Sequence, residues 1–170
     1  MKISHRLLMA VAFSVALGAC TKQVQEEAPE PPPPAPAPTP APAPDDGRYD
    51  ASDLDSDSCL RQRVVYFDLD RDNVRSEFQQ IMSCHAKYLR DRSSARITLE
   101  GHADERGSRE YNLGLGERRG NSVSDALQAA GGSAGQLTTV SYGEERPTCT
   151  ESAESCWSQN RRVEIIYTAR

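Results

Sequence analysis

The 170-residue chain has no apolar run long enough to cross a bilayer as a helix. Aromatic residues make up only 6% of it, and there is no surplus of positive charge: 20 Lys and Arg stand against 25 Asp and Glu, a net charge of −5. That balance argues against a broad nucleic-acid footprint. No C-x-x-C is present, and His85 and His102 fall on different predicted elements, so metal-ligand spacing is missing. No nucleophile stands evidently positioned beside a base, which argues against covalent catalysis. These absences leave one modest domain suited to binding or structural work.

What is present begins with a targeting segment. Lys2, His5 and Arg6 form a short basic region, Leu7 to Leu17 is apolar except for Ser14, and the small residues Gly18 and Ala19 follow. Leu17-Gly18-Ala19-Cys20 resembles a bacterial lipobox, in which the cysteine becomes the acylated first residue of the mature protein. Residues 1–19 are therefore expected to be a signal peptide and Cys20 the lipidation site. Each buried CH₂ of an acyl chain contributes about 0.8 kcal/mol, so several chains on one residue anchor stably. Thr21, rather than Asp, follows the cysteine, and by likeness to enteric sorting this favours the outer membrane.

Nearly all the proline lies between Thr21 and Gly47, as Pro31 to Pro34 and alternating Ala-Pro steps. Such a composition cannot build a core and favours extended polyproline II at about 3.1 Å per residue, a reach of at most roughly 80–90 Å. Residues 20–50 are expected to form a disordered linker and 51–170 the folded domain. Export also makes sense of the cysteines. Beside Cys20 there are four, and in an oxidising compartment an even number suggests two disulfides, with three connectivities open. Cys149 and Cys156 close a short loop and are the preferred pair, which leaves Cys59 with Cys84.

Val64 to Phe67 reads as a strand, and the spacing of Val74, Phe78, Ile81, Met82 and Leu89 predicts a helix over roughly 75–91. Ile97 to Gly101 alternates as a second strand. Tyr111, Leu115, Ser122, Val123, Ala126 and Leu127 mark a second helix, stopped by Gly131-Gly132. Leu137 to Tyr142 and Val163 to Tyr167 are strands, with a long loop over 143–160 between them. The order β-α-β-α-β-β predicts an α+β fold, a mixed sheet with helices on one face.

The chemistry concentrates in Gly101-His102-Ala103-Asp104-Glu105-Arg106-Gly107 and the helix after it. Asp104 follows a strand end. On a 3.6-residue helix Arg119 falls on the stripe of Leu115, Val123 and Ala126, while Arg118 turns about 100° toward solvent. An inward arginine is costly unless it is paired or meets a charged ligand. Two readings stand open from the residues. Asp104 and Arg119 grip the two ends of a small zwitterion, or they form a buried ion pair that orders the loop. His102 beside Asp104 and Glu105 has the look of acid–base machinery without a nucleophile to serve. Arg161 and Arg162 read as a solvated charge and a structural pair, with contact to the ligand as the alternative, and Trp157 as loop packing against the sheet edge.

From about Val64 to Tyr167 the chain resembles the OmpA C-terminal-like domain family, and within it the peptidoglycan-associated lipoproteins. Val65-Tyr66-Phe67-Asp68, the 101–107 segment, Tyr111-Asn112, Leu115 to Arg119, Val140 to Pro147 and Asn160 to Glu164 carry the resemblance. The lipobox and linker resemble the lipoproteins rather than the barrel-bearing or motor-stator relatives. The resemblance implies a non-enzymatic domain, without cofactor, that binds peptidoglycan at meso-diaminopimelate of the peptide stem. Asp104 would take the distal ammonium and Arg119 the adjacent carboxylate. Backbone N–H groups around Arg109 to Tyr111 would assist, Asn112 would order the loop or touch stem amides, and Phe67, Asp68 and Asp70 would form the opposite rim. It further implies an outer-membrane tether in the Tol–Pal system of envelope integrity and division, with the periplasmic propeller TolB as partner. The alternative is a lipoprotein that scaffolds another envelope or secretion assembly. Two features depart from the lipoprotein pattern. The Cys149–Cys156 loop looks like that of OmpA proteins themselves, and Gly120 replaces the usual alanine. With Gly114 and Gly116 it is expected to weaken the helix by about 1 kcal/mol per glycine.

Overall fold

The computed structural model describes residues 46–170; the signal segment, Cys20 and the proline-rich stretch lie outside the described residues. The elements are α1 (Asp53–Ser56), β1 (Val64–Tyr66), α2 (Gln79–Asp91, entered through a 3₁₀ turn at Ser76–Phe78), β2 (Arg96–His102), α3 (Arg109–Ala129), β3 (Leu137–Gly143), α4 (Glu154–Asn160) and β4 (Arg162–Ala169). The strands lie side by side as β1-β4-β2-β3. β2 and β3 are parallel, and β4 runs antiparallel to both β1 and β2. The mixed α+β sheet expected from the element order is what forms.

Alternation along the strands sorts the side chains. Val65, Ile97, Leu99, Val163 and Ile165 turn inward and meet Ile81, Met82, Tyr88 and Leu89 of α2 and Val123 and Leu127 of α3. The opposite face carries Glu100, Glu164 and the exposed Ile166. No helix among the described residues is long and apolar enough to cross a membrane.

α3 starts where Ser108 caps it, its side chain accepting from the Tyr111 N–H. It stops at Gly131, where φ is +97°. There the Gly132 N–H reaches Leu127 O and the Gly131 N–H reaches Gln128 O, the two bonds of a Schellman cap. Both disulfides form, Cys59–Cys84 and Cys149–Cys156. The first ties the segment before β1 to α2. Upstream of it, Arg48 donates to Asp91 O and the Tyr49 N–H to the Asp91 carboxylate, so the described chain begins docked at the end of α2.

The segment expected to be one long loop holds α4. The helix is polar along most of its length and is fixed by two tertiary devices. Cys156 is buried in its disulfide, and Asn160 accepts from the Thr148 and Cys149 N–H groups and donates to Cys149 O.

His85, fully buried, bridges Gln62 O at 3.0 Å through Nε2 and the Tyr167 hydroxyl at 2.7 Å through Nδ1. A carbonyl only accepts, so Nε2 carries the proton and Nδ1 accepts from Tyr167. Burial pushes the His85 pKa down to about 4, and burial together with nearby Arg162 pushes His102 down to about 4. An unfolded histidine titrates near 6.5, so below that pH the unfolded chain takes up protons that the folded chain refuses. Stability is therefore expected to be full above about pH 6.5 and to fall as the pH drops toward 4, by about 3 kcal/mol from His85 alone. Melting temperatures measured at pH 7.5, 5.5 and 4.5 check this. A His85→Gln variant should show a shallower fall, and an equal slope in both proteins would contradict the assignment.

Candidate functional site

β2 ends at His102, and the chain turns through Ala103 and Asp104 into the cap of α3. Beside this turn lies a cleft of about 210 Å³ lined by Leu69, Asp70, Asp104, Arg106, Tyr111, Asn112, Leu115, Arg119 and Arg161. Four side chains singled out from the sequence, Asp70, Asp104, Asn112 and Arg119, are brought together here. Phe67 and Asp68 are not. They line an adjoining groove with Tyr66, Arg75 and Ser158, and the two hollows share Arg161.

Arg119 does not form the ion pair with Asp104 weighed from the sequence, although its side chain is completely buried. Instead Nε donates to Arg71 O at 2.8 Å, Nη1 to His102 O at 2.8 Å and Nη2 to Asp68 O at 3.1 Å. The guanidinium sits 5.3 Å from the Phe67 ring centre. Arg119 thus pins the 68–71 turn to the end of β2 while one edge of it still faces the cleft. Burial lowers its pKa to about 10, with Arg161 pushing the same way and Asp104 opposing, so it remains a cation at neutral pH. Arg118 points outward to Asp72, as its phase predicts.

Asp104, 4% exposed, is held by two other arginines. Arg106 gives it a fork, Nε to Oδ1 at 3.1 Å and Nη2 to Oδ2 at 2.7 Å, plus its backbone N–H to Oδ1 at 3.1 Å. Arg161 Nη1 adds a bond to Oδ2 at 3.1 Å. Burial works against ionising Asp104, but these hydrogen bonds outweigh it and hold the carboxyl below the usual carboxylate range.

Arg161 corrects the sequence reading. It is not a solvated charge but a buried wall of the cleft, bonded to Phe67 O, Asp104 and Glu154. Arg162 is buried as well, paired with Glu164 on the far face of the sheet. Trp157 belongs to α4 rather than to loop packing. Its indole N–H donates to Glu105 at 3.0 Å, and the Arg106 guanidinium lies 4.1 Å over its ring. The sequence assigned no role to the side chains of Arg106 and Tyr111. Tyr111 donates its hydroxyl to Asp70, whose φ of +54° marks the tip of the 68–72 turn. The only advance signal for Arg106 was its place two residues after Asp104.

Asn112 is buried and donates to Glu144, which fixes the α3 start against the end of β3. Of the amides at Arg109 to Tyr111, that of Tyr111 is taken by Ser108 Oγ. His102 sends only its carbonyl into the site. Its ring, 1% exposed, stacks on Tyr142 away from the cleft. The glycines of α3 are the second correction. A Cβ on Gly116 would lie 2.4 Å from Ser141 Oγ and 2.9 Å from Gly101 O, and one on Gly120 would lie 2.5 Å from Thr139 Cγ2. Both let α3 press onto β2 and β3, which sets the depth of Arg119. Only Gly114 meets nothing firmer than the tip of Arg118.

The arrangement is a buried anion and a buried cation on walls of one small cleft, each satisfied by groups other than the opposite wall. It presents charge of both signs to one cleft. Residues 66–161 match the OmpA family. The chain is 38% identical to the peptidoglycan-associated lipoprotein of Pseudomonas aeruginosa across 97% of both chains. It is 41% identical to that of Pasteurella multocida across 71% of this chain and 78% of the other. The crystal structure of the peptidoglycan-associated lipoprotein from Burkholderia pseudomallei superposes with a TM-score of 0.67 at 39% identity, over 68% of this chain and 98% of that one. The C-terminal domain of Helicobacter pylori MotB shares the fold, at 21% identity and a TM-score of 0.58, over 63% and 84% of the two chains. The chain belongs to the OmpA family and, within it, to the peptidoglycan-associated lipoproteins.

Proposed function

We propose that this protein is an outer-membrane lipoprotein that binds peptidoglycan noncovalently through meso-diaminopimelate of the peptide stem. It thereby tethers the membrane to the wall, without enzymatic activity. One observation carries the reading: Asp104 and Arg119 line the same cleft without being each other's partner. The distal ammonium of diaminopimelate goes to Asp104 and the neighbouring carboxylate to the cleft edge of Arg119, a charge-assisted contact. A lysine stem has the ammonium but no carboxylate there and leaves a buried guanidinium uncompensated, so the site discriminates by charge. Cys20 supplies the acylated anchor and the proline-rich segment the reach. The family relation motivates TolB and the Tol system as protein partners.

Sedimentation with purified sacculi tests this. Wild-type protein should pellet with diaminopimelate-type sacculi and much less with lysine-type sacculi. Asp104→Ala should reduce pelleting at least about tenfold, the scale of one lost charge-assisted contact. Equal pelleting of wild type and Asp104→Ala would refute the site.

A further inference from the structure

Asp104 has no room for another donor. A carboxylate offers about four acceptor positions, and its two oxygens already take the Arg106 N–H, Arg106 Nε, Arg106 Nη2 and Arg161 Nη1. An ammonium arriving at this oxygen pair must displace one of them. The backbone N–H is fixed by the turn. The Arg161 side chain is 6% exposed and is also held by Phe67 O and Glu154. The Arg106 side chain is 33% exposed and has somewhere else to go. Its Nη2 is 3.5 Å from a Glu154 oxygen, and its guanidinium already stacks 4.1 Å from the Trp157 ring centre. That shelf is built in advance. Glu105 accepts from both the Trp157 indole and the Ser152 hydroxyl, and the Cys149–Cys156 bridge closes the loop that carries it.

We propose that the Arg106 guanidinium is a resident occupant of the ammonium subsite, displaced by the ligand onto the Glu154–Trp157 shelf. The inference rests on the diaminopimelate reading above and adds a specificity residue to it. Binding is an exchange of one cation for another at Asp104, so the buried carboxylate is never left unpaired. A ligand that offers a carboxylate but no ammonium cannot drive the exchange. Arg106 therefore selects for the cationic end of the ligand, as Arg119 does for the anionic end. The cost is affinity, because only the fraction of molecules with Arg106 swung aside is competent to bind.

The sign of the mutant effect tests this. Titration calorimetry would use the full chain and the tripeptide L-alanyl-γ-D-glutamyl-meso-diaminopimelate. Arg106→Ala is expected to bind about three- to tenfold tighter than wild type, since the competing state is removed. Glu154→Gln, which weakens the shelf, is expected to bind less tightly. If Arg106→Ala proves unstable, Arg106→Gln keeps the bulk without the charge and carries the same expectation. Equal or weaker binding by the folded Arg106 variant, with a wild type that binds, overturns the proposal. A wild type that does not bind the tripeptide at all instead overturns the diaminopimelate reading on which it rests.

Discussion

Arg119→Ala is expected to lower the stability of the domain by about 3–5 kcal/mol as well as to abolish sacculus binding. The three carbonyls it serves, on Asp68, Arg71 and His102, come from two segments that it ties together alongside Arg161, which bridges Phe67 O and Asp104. Removing the guanidinium takes a donor from all three: the buried His102 O loses its bond at a cost on the order of 1–3 kcal/mol, the partly buried Arg71 O loses one nearer the low end, and Asp68 O keeps the Arg71 N–H. The void left beneath Phe67 adds to this. The 68–71 turn should then come loose and take Leu69 and Asp70 out of the cleft wall. Arg119→Lys keeps the charge, but a single ammonium cannot reproduce a planar fork over three acceptors, so it should recover only part of the loss. Urea unfolding of the three proteins checks this. If Arg119 served the ligand alone, Arg119→Ala would lose binding at an unchanged midpoint, and that result would refute its structural role.

Gly101→Ala is expected to be the most damaging small substitution in the domain. Its Cβ would lie 1.9 Å from the carbonyl oxygen of Gly116 and 2.6 Å from the carbonyl carbon, backbone against backbone, where no rotamer relieves the clash. Helix α3 would have to lift off β2, and overpacking of this kind costs about 3 kcal/mol or more. Arg119, one turn beyond Gly116, would rise with the helix and lose its carbonyls. Gly114→Ala, on the same helix, is expected to act with the opposite sign, stabilising by up to about 1 kcal/mol through helix propensity. Thermal melting of the two variants decides the matter. A destabilisation shared by both would mean that helix propensity, not close approach, governs these glycines.

These expectations mark where the sequence was legible. Helical phase alone separates Arg119 from Arg118, because facing is a local property of a helix and needs no knowledge of neighbours. The strands, the stop at Gly131 and the mixed sheet follow from equally local patterns. The partners of Arg119 were not legible, since main-chain carbonyls of a turn some 50 residues away leave no mark in side-chain identity. Asp104 presented the same difficulty, its second arginine lying 57 residues on, beyond the reach of a spacing rule. Helix α4 was hidden by composition: its Ser, Glu and Gln residues read as loop, and it is stabilised by a disulfide and by Asn160 rather than by an apolar stripe. The glycines of α3 were read as weakness because propensity scales know nothing of a strand pressed against the helix. Each failure lies on the link from local structure to packing.

The docking of the 46–49 segment at the end of α2 has a mechanical meaning. β2 begins near that end and finishes at His102 beside the cleft, so the two lie apart by roughly the length of the strand, about 20 Å. With the attachment proposed above, to a membrane at the N-terminus and to a wall at the cleft, tension would run along the strands instead of across them. The ladders that join β2 to β3 and β4 are then loaded in shear, all their bonds together, rather than unzipped one pair at a time. The load path begins with the stretch before β1, which a pull would peel from α2 by breaking its polar contacts and drawing Tyr49 and the buried Leu54 off the core in turn. Peeling halts at Cys59, where the bond to Cys84 hands the force covalently to the helix.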